Sequence, residues 1–280
     1  MRRIALRGLT FDVRDGGPDD GEPVLLLHGF PQHGGVWDRV SGRLHQARLR
    51  TIALDQRAYS PGARPDDVPA YRMTELAADA VALLDALNIP AAHVVGHDLG
   101  AVVGWHLAGR HPGRVSTLTA VSAPHPLASA AALLEDPDQR QRSAYLRLFR
   151  QHSRPERVLL ADGARRLRGV FAGSGLADSE VDGYVGPLLD FPVLSAALNW
   201  YRAFSRGDLD GIGPISCPTT HVWSDGDIAL GRYGAERCGA YVTGPYRFVE
   251  LTGVSHWIPD QAPDALAHAI TERIGSRTGS

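Results

Sequence analysis

The sequence predicts an α/β fold, in which a mostly parallel β-sheet is flanked by helices. Six short, mostly apolar runs bounded by turn residues are typical of parallel strands buried on both faces. They cover residues 23–27, 51–54, 93–95, 115–121, 217–223 and 247–251. Residues 75–87 and about 264–274 instead repeat apolar side chains at intervals of three and four, which indicates amphipathic helices.

The alternation of strands and helices is interrupted in the middle of the chain. Residues 126–213 are rich in alanine, arginine and leucine and have the pattern of helices, without strand-like runs. We therefore expect a core domain made of residues 1–125 and 214–280, with a helical cap domain of residues 126–213 inserted into it.

Length and composition are those of an ordinary soluble enzyme. The chain has 280 residues, of which 44% are hydrophobic and 21% charged, and no apolar run approaches the roughly 20 residues of a membrane span. The amino terminus lacks the apolar run of a signal peptide. Two cysteines, Cys217 and Cys238, have neither metal-ligand spacing nor the density of a disulfide scaffold. We expect a cytoplasmic protein, monomeric or homodimeric, that binds no membrane and needs no metal or cofactor.

The charge balance excludes one class of partner. The net charge is −2, and every cationic residue is an arginine because the chain contains no lysine. Such a chain offers no basic field that would gather phosphates, so nucleic acid is not an expected partner.

The most informative motif is Gly96-His97-Asp98-Leu99-Gly100, which follows directly on a predicted buried strand. Gly-x-nucleophile-x-Gly between a strand and a helix is the nucleophile elbow of the α/β-hydrolase fold, where the middle residue is usually serine. Taken alone, Asp98 could instead be a helix N-cap that accepts hydrogen bonds from the first amides of the helix.

An aspartate in this position changes the chemistry. Serine attacking a saturated carbon would form an ether, which an activated water does not hydrolyse. A carboxylate attacking the same carbon forms an ester of the enzyme, whose carbonyl remains open to water in a second step. Asp98 therefore indicates a substrate with an electrophilic sp3 carbon, such as an epoxide or an alkyl halide.

An acid and a histidine follow the elbow in the chain order of this fold, which is nucleophile, acid, histidine. Asp225 and Asp227 lie in a loop after one predicted strand, and His256 lies in a loop after the next. We expect His256 to deprotonate the hydrolytic water while an aspartate orients its ring. Asp227 is the first candidate for that aspartate and Asp225 the competitor, since Asp225 could be an Asx-turn residue.

The loop after the first apolar run is His28-Gly29-Phe30-Pro31. Its position suits an oxyanion hole, in which one backbone amide comes from this loop and another from the residue after the nucleophile. Those amides belong to Phe30 and Leu99. A plain strand-ending turn would have a similar sequence.

Nearly the whole chain resembles the epoxide hydrolases of the α/β-hydrolase superfamily. The similar segments are HGFP at 28–31, DQRAYSPGARP at 55–65, VVGHDLGA at 94–101, WSDGD at 223–227 and GVSHWIPDQAP at 253–263. The resemblance implies that Asp98 attacks the epoxide, that an Asp–His pair activates water, and that two cap tyrosines hold and protonate the epoxide oxygen. The segment LNWYR at 198–202 resembles the second tyrosine motif, and YLRLF at 145–149 resembles the first more loosely.

The resemblance thus selects Tyr145 and Tyr201. Opening an epoxide expels an alkoxide, a poor leaving group, so a proton donor is needed, and a phenol with a pKa near 10 stays protonated at neutral pH. A tyrosine on a leucine-rich helix is otherwise more often a packing residue. We also expect Trp37, Phe149 and Trp200 to contact an apolar substrate.

Two other functions stay open from the sequence. Haloalkane and haloacid dehalogenases use the same aspartate chemistry. Leu99 and Phe30 occupy positions where many haloalkane dehalogenases have halide-binding Trp and Asn. The haloacetate-type enzymes have arginines just after the nucleophile that bind the substrate carboxylate, and this chain has none there. Trp37 or Trp105 could supply a halide donor instead. A non-catalytic receptor for a small ligand on the same fold is the remaining alternative.

Overall fold

A computed structural model describes residues 1–276, apart from the side chain of Arg206, and its centre is one eight-stranded sheet. The strands are β1 (Arg2–Leu6), β2 (Leu9–Gly16), β3 (Glu22–Leu27), β4 (Leu49–Leu54), β5 (Ala92–His97), β6 (Val115–Val121), β7 (Thr219–Gly226) and β8 (Tyr246–Ser255). They are ordered β1-β2-β4-β3-β5-β6-β7-β8. Strand β2 is antiparallel to β1 and β4, and the other neighbouring strands are parallel.

Helices cover the sheet and fill the interval between β6 and β7. They are α1 (Asp38–Gln46), α2 (Met73–Ala86), α3 (Leu99–Arg110), α4 (Pro126–Glu135), α5 (Pro137–Arg142), α6 (Leu146–Phe149), α7 (Arg154–Gly169), α8 (Asp178–Val185), α9 (Phe191–Ala203), α10 (Arg232–Arg237), α11 (Ile258–Gln261) and α12 (Pro263–Gly275). Helix α7 is interrupted by non-helical backbone at residues 161–164. No helix in the described part of the chain is long and apolar enough to cross a bilayer.

The predicted α/β-hydrolase fold class is confirmed, and all six predicted strands and both predicted helices exist. Strand β5 shows why the pattern is informative: all six of its residues are buried between helical layers, so each is selected to be small or apolar or to form internal hydrogen bonds. Strand β7 begins at Thr219 rather than at residue 217, because Pro218 has no amide hydrogen for the ladder.

Two strands, β1 and β2, are not predicted by the sequence analysis. They form the antiparallel edge of the sheet, and four of the five residues of β1 are exposed or half-buried. Strands that are solvated on one face alternate polar and apolar residues and so lack the continuous apolar run of a buried strand. The arginines and aspartates of residues 2–15 interrupt any apolar run, and for this reason the pattern of buried strands does not identify β1 and β2.

Residues 126–213 are called the cap segment below. The structure describes helices α4 to α9 and short 3-10 turns there, with no strand in these residues. The helical content therefore agrees with the pattern. The division into a core and a cap domain stays a prediction, and the last four residues of the predicted core domain lie outside the described residues.

The parallel strands determine where chemistry can take place. Strands β3, β5, β7 and β8 point the same way, so the loops that follow them meet at one edge of the sheet, which is where ligands bind in open α/β sheets. These four loops carry Phe30, Asp98, Asp227 and His256.

Candidate active site

Asp98 lies on a tight turn between β5 and α3. Its backbone has φ 53° and ψ −124°, a conformation that L-residues rarely adopt and that is concentrated at functional sites. The flanking glycines allow the turn: a Cβ on Gly96 would lie 2.2 Å from the carbonyl oxygen of Gly100, and one on Gly100 would lie 2.1 Å from that of Leu27. Asp98 occupies the N-cap position of α3 but makes no capping hydrogen bond, so its side chain is available for another partner.

The two carboxylate oxygens of Asp98 face different partners. The Phe30 amide donates a hydrogen bond to Oδ1 at 3.0 Å, and Oδ2 lies 3.5 Å from Nε2 of His256. Burial opposes the charge, but the hydrogen bond and charge of His256, together with the Leu99 amide, outweigh burial and hold the pKa of Asp98 below its ordinary value. Asp98 is therefore an ionised carboxylate with one oxygen fixed and the other facing His256.

Asp227 is the carboxylate that contacts His256. Its Oδ2 lies 2.8 Å from Nδ1 of His256, while its Oδ1 accepts hydrogen bonds from the amides of Ala229 at 2.8 Å and Leu230 at 2.9 Å. Asp225 is exposed and accepts a hydrogen bond from the Gly253 amide instead. The geometry thus favours Asp227 over the alternative that the sequence left open.

Two carboxylates act on one imidazole. Burial alone would lower the pKa of His256, but the charges and hydrogen bonds of Asp227 and then Asp98 outweigh burial and raise this pKa above its ordinary value. The imidazole is therefore cationic at neutral pH as long as both carboxylates carry a charge.

The backbone of His256 is held by residues that sequence reasoning missed. Its carbonyl oxygen accepts a hydrogen bond from Ser122 Oγ at 3.1 Å and lies 2.9 Å from Nε2 of His97. Since a carbonyl only accepts, this nitrogen of His97 carries the proton. His97 is part of the elbow motif and could have been noticed there, whereas nothing in the sequence marks Ser122.

Two cavities meet at Asp98. One of about 240 Å³ extends along α4, α6 and α9, and the other of about 290 Å³ extends past Phe149 to His256 and Trp257. Asp98, Tyr145 and Tyr201 line both. Asp98 and the two tyrosines selected by the family resemblance therefore line the region that both cavities share.

Both tyrosines stay protonated. Burial first, and then the negative charge of Asp98, raise the pKa of Tyr145 and of Tyr201 above the ordinary value for a phenol. Tyr201 is buried, while Tyr145 keeps 36% of its surface accessible. Their ring centroids lie 6.3 Å apart, and both rings pack edge-on against Phe149 at 5.1 Å. Either hydroxyl can donate a proton or hydrogen bond to a group held above Asp98.

The predicted substrate contacts are found in part. Phe149 lines the larger cavity and Trp200 the smaller one, although the Trp200 indole nitrogen is already bonded to the Arg57 carbonyl at 3.1 Å. Trp37 was a wrong assignment: it is fully buried in the core and lines neither cavity. Its type suggested an aromatic contact, but the direction of its side chain depends on packing that spacing does not reveal. Trp105 is also buried and donates to the Ala123 carbonyl at 3.1 Å, so it offers no N–H to the cavity.

No group of three or more His, Cys, Asp or Glu side chains within residues 1–276 could hold a metal ion. Cys217 and Cys238 are both buried free thiols. The chemical groups at the site are the carboxylates, the imidazole, the phenols and the backbone amides described above.

Comparison with known proteins identifies relatives along the whole chain. The AB hydrolase superfamily protein YfhM of Bacillus subtilis is 32% identical over 276 residues, which cover 97% of this chain and 96% of that protein. Epoxide hydrolase A of Mycobacterium tuberculosis is 29% identical over 314 residues, with the same two coverages.

Solved structures agree with these relatives. The crystal structure of epoxide hydrolase A from Mycobacterium thermoresistibile has a TM-score of 0.86 at 26% identity, covering 98% of this chain and 97% of that one. The expected resemblance to epoxide hydrolases is therefore confirmed. The family model described as "alpha/beta hydrolase fold" matches residues 22–263. Together with the elbow and the sheet order, this match shows that the chain belongs to the α/β-hydrolase fold family.

Proposed function

We propose that the protein hydrolyses epoxides to vicinal diols through a covalent ester on Asp98. One observation carries the proposal: an ionised carboxylate with one oxygen bound to the Phe30 amide lines, together with two protonated tyrosines, both of two largely apolar cavities. The relatives named epoxide hydrolases support the same chemistry.

The first half-reaction forms the ester. Oδ2 of Asp98 attacks a ring carbon, the bond from that carbon to the epoxide oxygen breaks, and Tyr201 or Tyr145 gives its proton to the oxygen. Proton donation is needed because an alkoxide is a poor leaving group. The cap segment, as we propose its role, holds both donors above the nucleophile.

Alkylation also prepares the second half-reaction. It removes the charge of Asp98, which is one of the two charges that raise the pKa of His256. The proton of His256 then passes to the tyrosinate left by ring opening. The resulting neutral imidazole, still held by Asp227, is a base for water.

Water completes the cycle by attacking the carbonyl carbon of the ester. His256 takes one proton, and the oxyanion that forms is bound by the amides of Phe30 and Leu99. Collapse breaks the bond between this carbon and Oδ2. The diol therefore leaves with an oxygen of Asp98, its alkoxide receives the remaining proton of water, and the water oxygen stays in the carboxylate.

Replacing His256 tests the proposal. In His256→Gln the first half-reaction needs no base, whereas ester hydrolysis slows by about 10²–10⁴-fold. After addition of styrene oxide, mass spectrometry should find Asp98 modified by the full mass of the epoxide. Diol release by this variant at the wild-type rate would contradict the mechanism.

The same assay separates the alternatives. A dehalogenase would alkylate Asp98 faster with a matched 1-haloalkane than with the epoxide and release halide. A receptor would bind either compound and return it intact. Neither Trp37 nor Trp105 offers a halide donor to the cavities, so the proposal expects faster alkylation by the epoxide.

A further inference from the structure

A buried carboxylate other than Asp98 and Asp227 connects α11, the loop after β3 and the cap segment near the site. Asp260 lies on α11, four residues after His256, and only 7% of its surface is accessible. Its Oδ2 accepts a hydrogen bond from Gln32 Nε2 at 2.6 Å, and its Oδ1 accepts one from the Tyr184 hydroxyl at 2.7 Å. The chemistry proposed above uses none of these three side chains.

The Gln32 contact leads to the oxyanion hole. Gln32 follows Phe30 by two residues and is fully buried. Its backbone amide donates a hydrogen bond to the Gly29 carbonyl at 3.0 Å. The tight turn from Gly29 to Gln32 therefore carries the Phe30 amide that binds Asp98. Since Asp260 holds the end of this turn, it restricts the position of that amide.

The Tyr184 contact leads to the cap segment. Tyr184 lies on α8, and its ring stacks on Phe171 with centroids 5.6 Å apart. The ring centroid of Phe171 in turn lies 4.4 Å from that of Trp257, the neighbour of His256 in the chain. The hydrogen bond of Tyr184 to Asp260 thus fixes a part of the cap segment that packs directly beside the base.

A second connection strengthens the same junction. Arg39 of α1 donates to the backbone carbonyl of Asp260 at 3.2 Å and pairs with Glu180 of α8 at 2.5 Å. Helix α8 is therefore attached to the Asp260 segment at Tyr184 and, through Arg39, at Glu180. A helix held at two points one turn apart neither slides nor rotates freely over the core.

Such an arrangement is costly as a packing device. The hydrogen bonds to Asp260 lower its pKa, but burial has the larger effect and raises it, so burial destabilises the charged form. An apolar side chain would fill the same space without this penalty. What the carboxylate adds is direction, because its two oxygens accept from two donors that lie 152 residues apart in the chain.

We propose that Asp260 is a positioning residue that places the Phe30 amide through Gln32 and the His256 segment through Tyr184, whose ring packs on Phe171 beside Trp257. This assignment rests on the proposed function, because it assigns each contact to a half-reaction. The Gln32 contact serves both steps, because the Phe30 amide holds Oδ1 of Asp98 during alkylation and the oxyanion during hydrolysis. The Tyr184 contact serves ester hydrolysis, where His256 acts.

Single-turnover kinetics test the assignment. Styrene oxide is mixed with excess enzyme, and the adduct on Asp98 is followed by rapid quench and mass spectrometry, which gives one rate constant for alkylation and one for hydrolysis. Gln32→Leu should slow both steps about ten-fold, because a displacement below 1 Å can cost that much. Tyr184→Phe should slow hydrolysis about ten-fold and leave alkylation within about two-fold.

Asp260 variants and a control complete the set. Asp260→Ala should slow both steps about ten-fold, as expected when both contacts are lost. Asp260→Asn should restore both rate constants. Oε1 of Gln32 has no hydrogen-bond partner among the described residues of the wild type, so the side-chain amide of Gln32 can rotate and accept a hydrogen bond from the new NH₂ group. The control Tyr233→Phe removes an exposed tyrosine hydroxyl bound to Glu135 and should change neither rate constant.

The outcomes are distinguishable. Both rate constants are measured per active site, so a smaller amount of folded protein does not change them. If the variants lower only the amount of folded protein and leave both rate constants unchanged, the assignment is overturned. Unchanged alkylation in Gln32→Leu, or slowing of alkylation by Tyr184→Phe as large as its slowing of hydrolysis, would also overturn it. If Asp260→Ala does not fold, the two single-contact variants still decide. An absence of any adduct in the wild type and in His256→Gln would instead reject the proposed function itself.

Discussion

At the scale of single residues, the proposed reaction depends on the carboxylate of Asp98 and on the neighbours that hold it. On this strained backbone, the carboxylate of Asp98 contacts the Phe30 amide with one oxygen and faces His256 with the other. Gly29 is part of this fit, because a Cβ there would lie 2.3 Å from Oδ1 of Asp98.

Gly29→Ala should therefore displace the nucleophile and slow alkylation of Asp98 by about 100-fold or more, as expected for a shift near 1 Å. Gly42→Ala is the matched control, since Gly42 is exposed within α1 and a Cβ there would meet nothing within 4 Å. The control should keep its activity and gain about 1 kcal/mol of stability from helix propensity. Equal alkylation rates in the two variants would contradict the fit.

A second residue-scale prediction concerns the proton donor. Tyr201→Phe keeps the ring packing against Phe149 but removes the hydroxyl, so alkylation should slow by about 10²-fold while hydrolysis of the ester stays nearly unchanged. Rapid-quench measurements of both steps provide the test. An unchanged rate of alkylation would remove Tyr201 from the mechanism.

At the scale of elements, the cap segment depends on one buried ion pair. Arg202 of α9 contacts Glu156 of α7 at 2.7 Å, and both side chains are almost fully buried. Arg202 also donates to Ser195 and Asn199 within α9. This network fixes α9 and thereby Tyr201, the residue before Arg202.

Glu156→Ala should leave Arg202 buried without its carboxylate and lower the free energy of unfolding by about 3–5 kcal/mol. Urea denaturation followed by tryptophan fluorescence measures the change. The exposed pair of Arg48 and Asp20 supplies the comparison, since Asp20→Ala should cost at most about 1 kcal/mol. Similar costs for the two variants would show that the buried pair does not hold the cap segment.

At the scale of the whole molecule, buried neutral histidines make the fold sensitive to acid. Burial lowers the pKa of His28, His97, His106, His125 and His221 to about 4. In the unfolded chain these histidines bind protons near pH 6.5, whereas in the folded protein they stay neutral until about pH 4. Stability from these groups is therefore present above about pH 6.5 and is lost as the pH falls toward 4.

His256 contributes with the opposite sign. Its raised pKa stabilises the fold fully below about pH 6.5, and this contribution is lost as the pH rises toward the folded-state value. The two effects occupy different pH windows, so a variant can separate them. His106 is suitable because neither of its ring nitrogens has a hydrogen-bond partner among the described residues.

His106→Leu should reduce the acid slope of the unfolding free energy between pH 4.5 and 6 by up to about 1.4 kcal/mol per pH unit, which corresponds to one proton. The slope above pH 7 should stay the same. Urea unfolding at a series of pH values measures both slopes. An unchanged acid slope would mean that His106 is protonated in the folded protein.

The sequence predicted what depends on local pattern. Strand β5 and the elbow after it are readable because burial on both faces and a tight turn restrict the residue types. The pairing of Asp227 rather than Asp225 with His256 was left open, since both lie in one loop and only the tertiary structure turns one inward. Asp260 and Gln32 were not found, because 228 residues separate two side chains whose contact no local pattern records.

The account depends most on the covalent bond between Asp98 and the substrate carbon. One turnover of styrene oxide in ¹⁸O-water, with enzyme in excess, tests it directly. The account predicts that the heavy oxygen enters the carboxylate of Asp98, found by mass spectrometry of the peptide that contains it, while the diol is unlabelled. A labelled diol with an unlabelled Asp98 would show that water attacks the epoxide itself and would contradict the account.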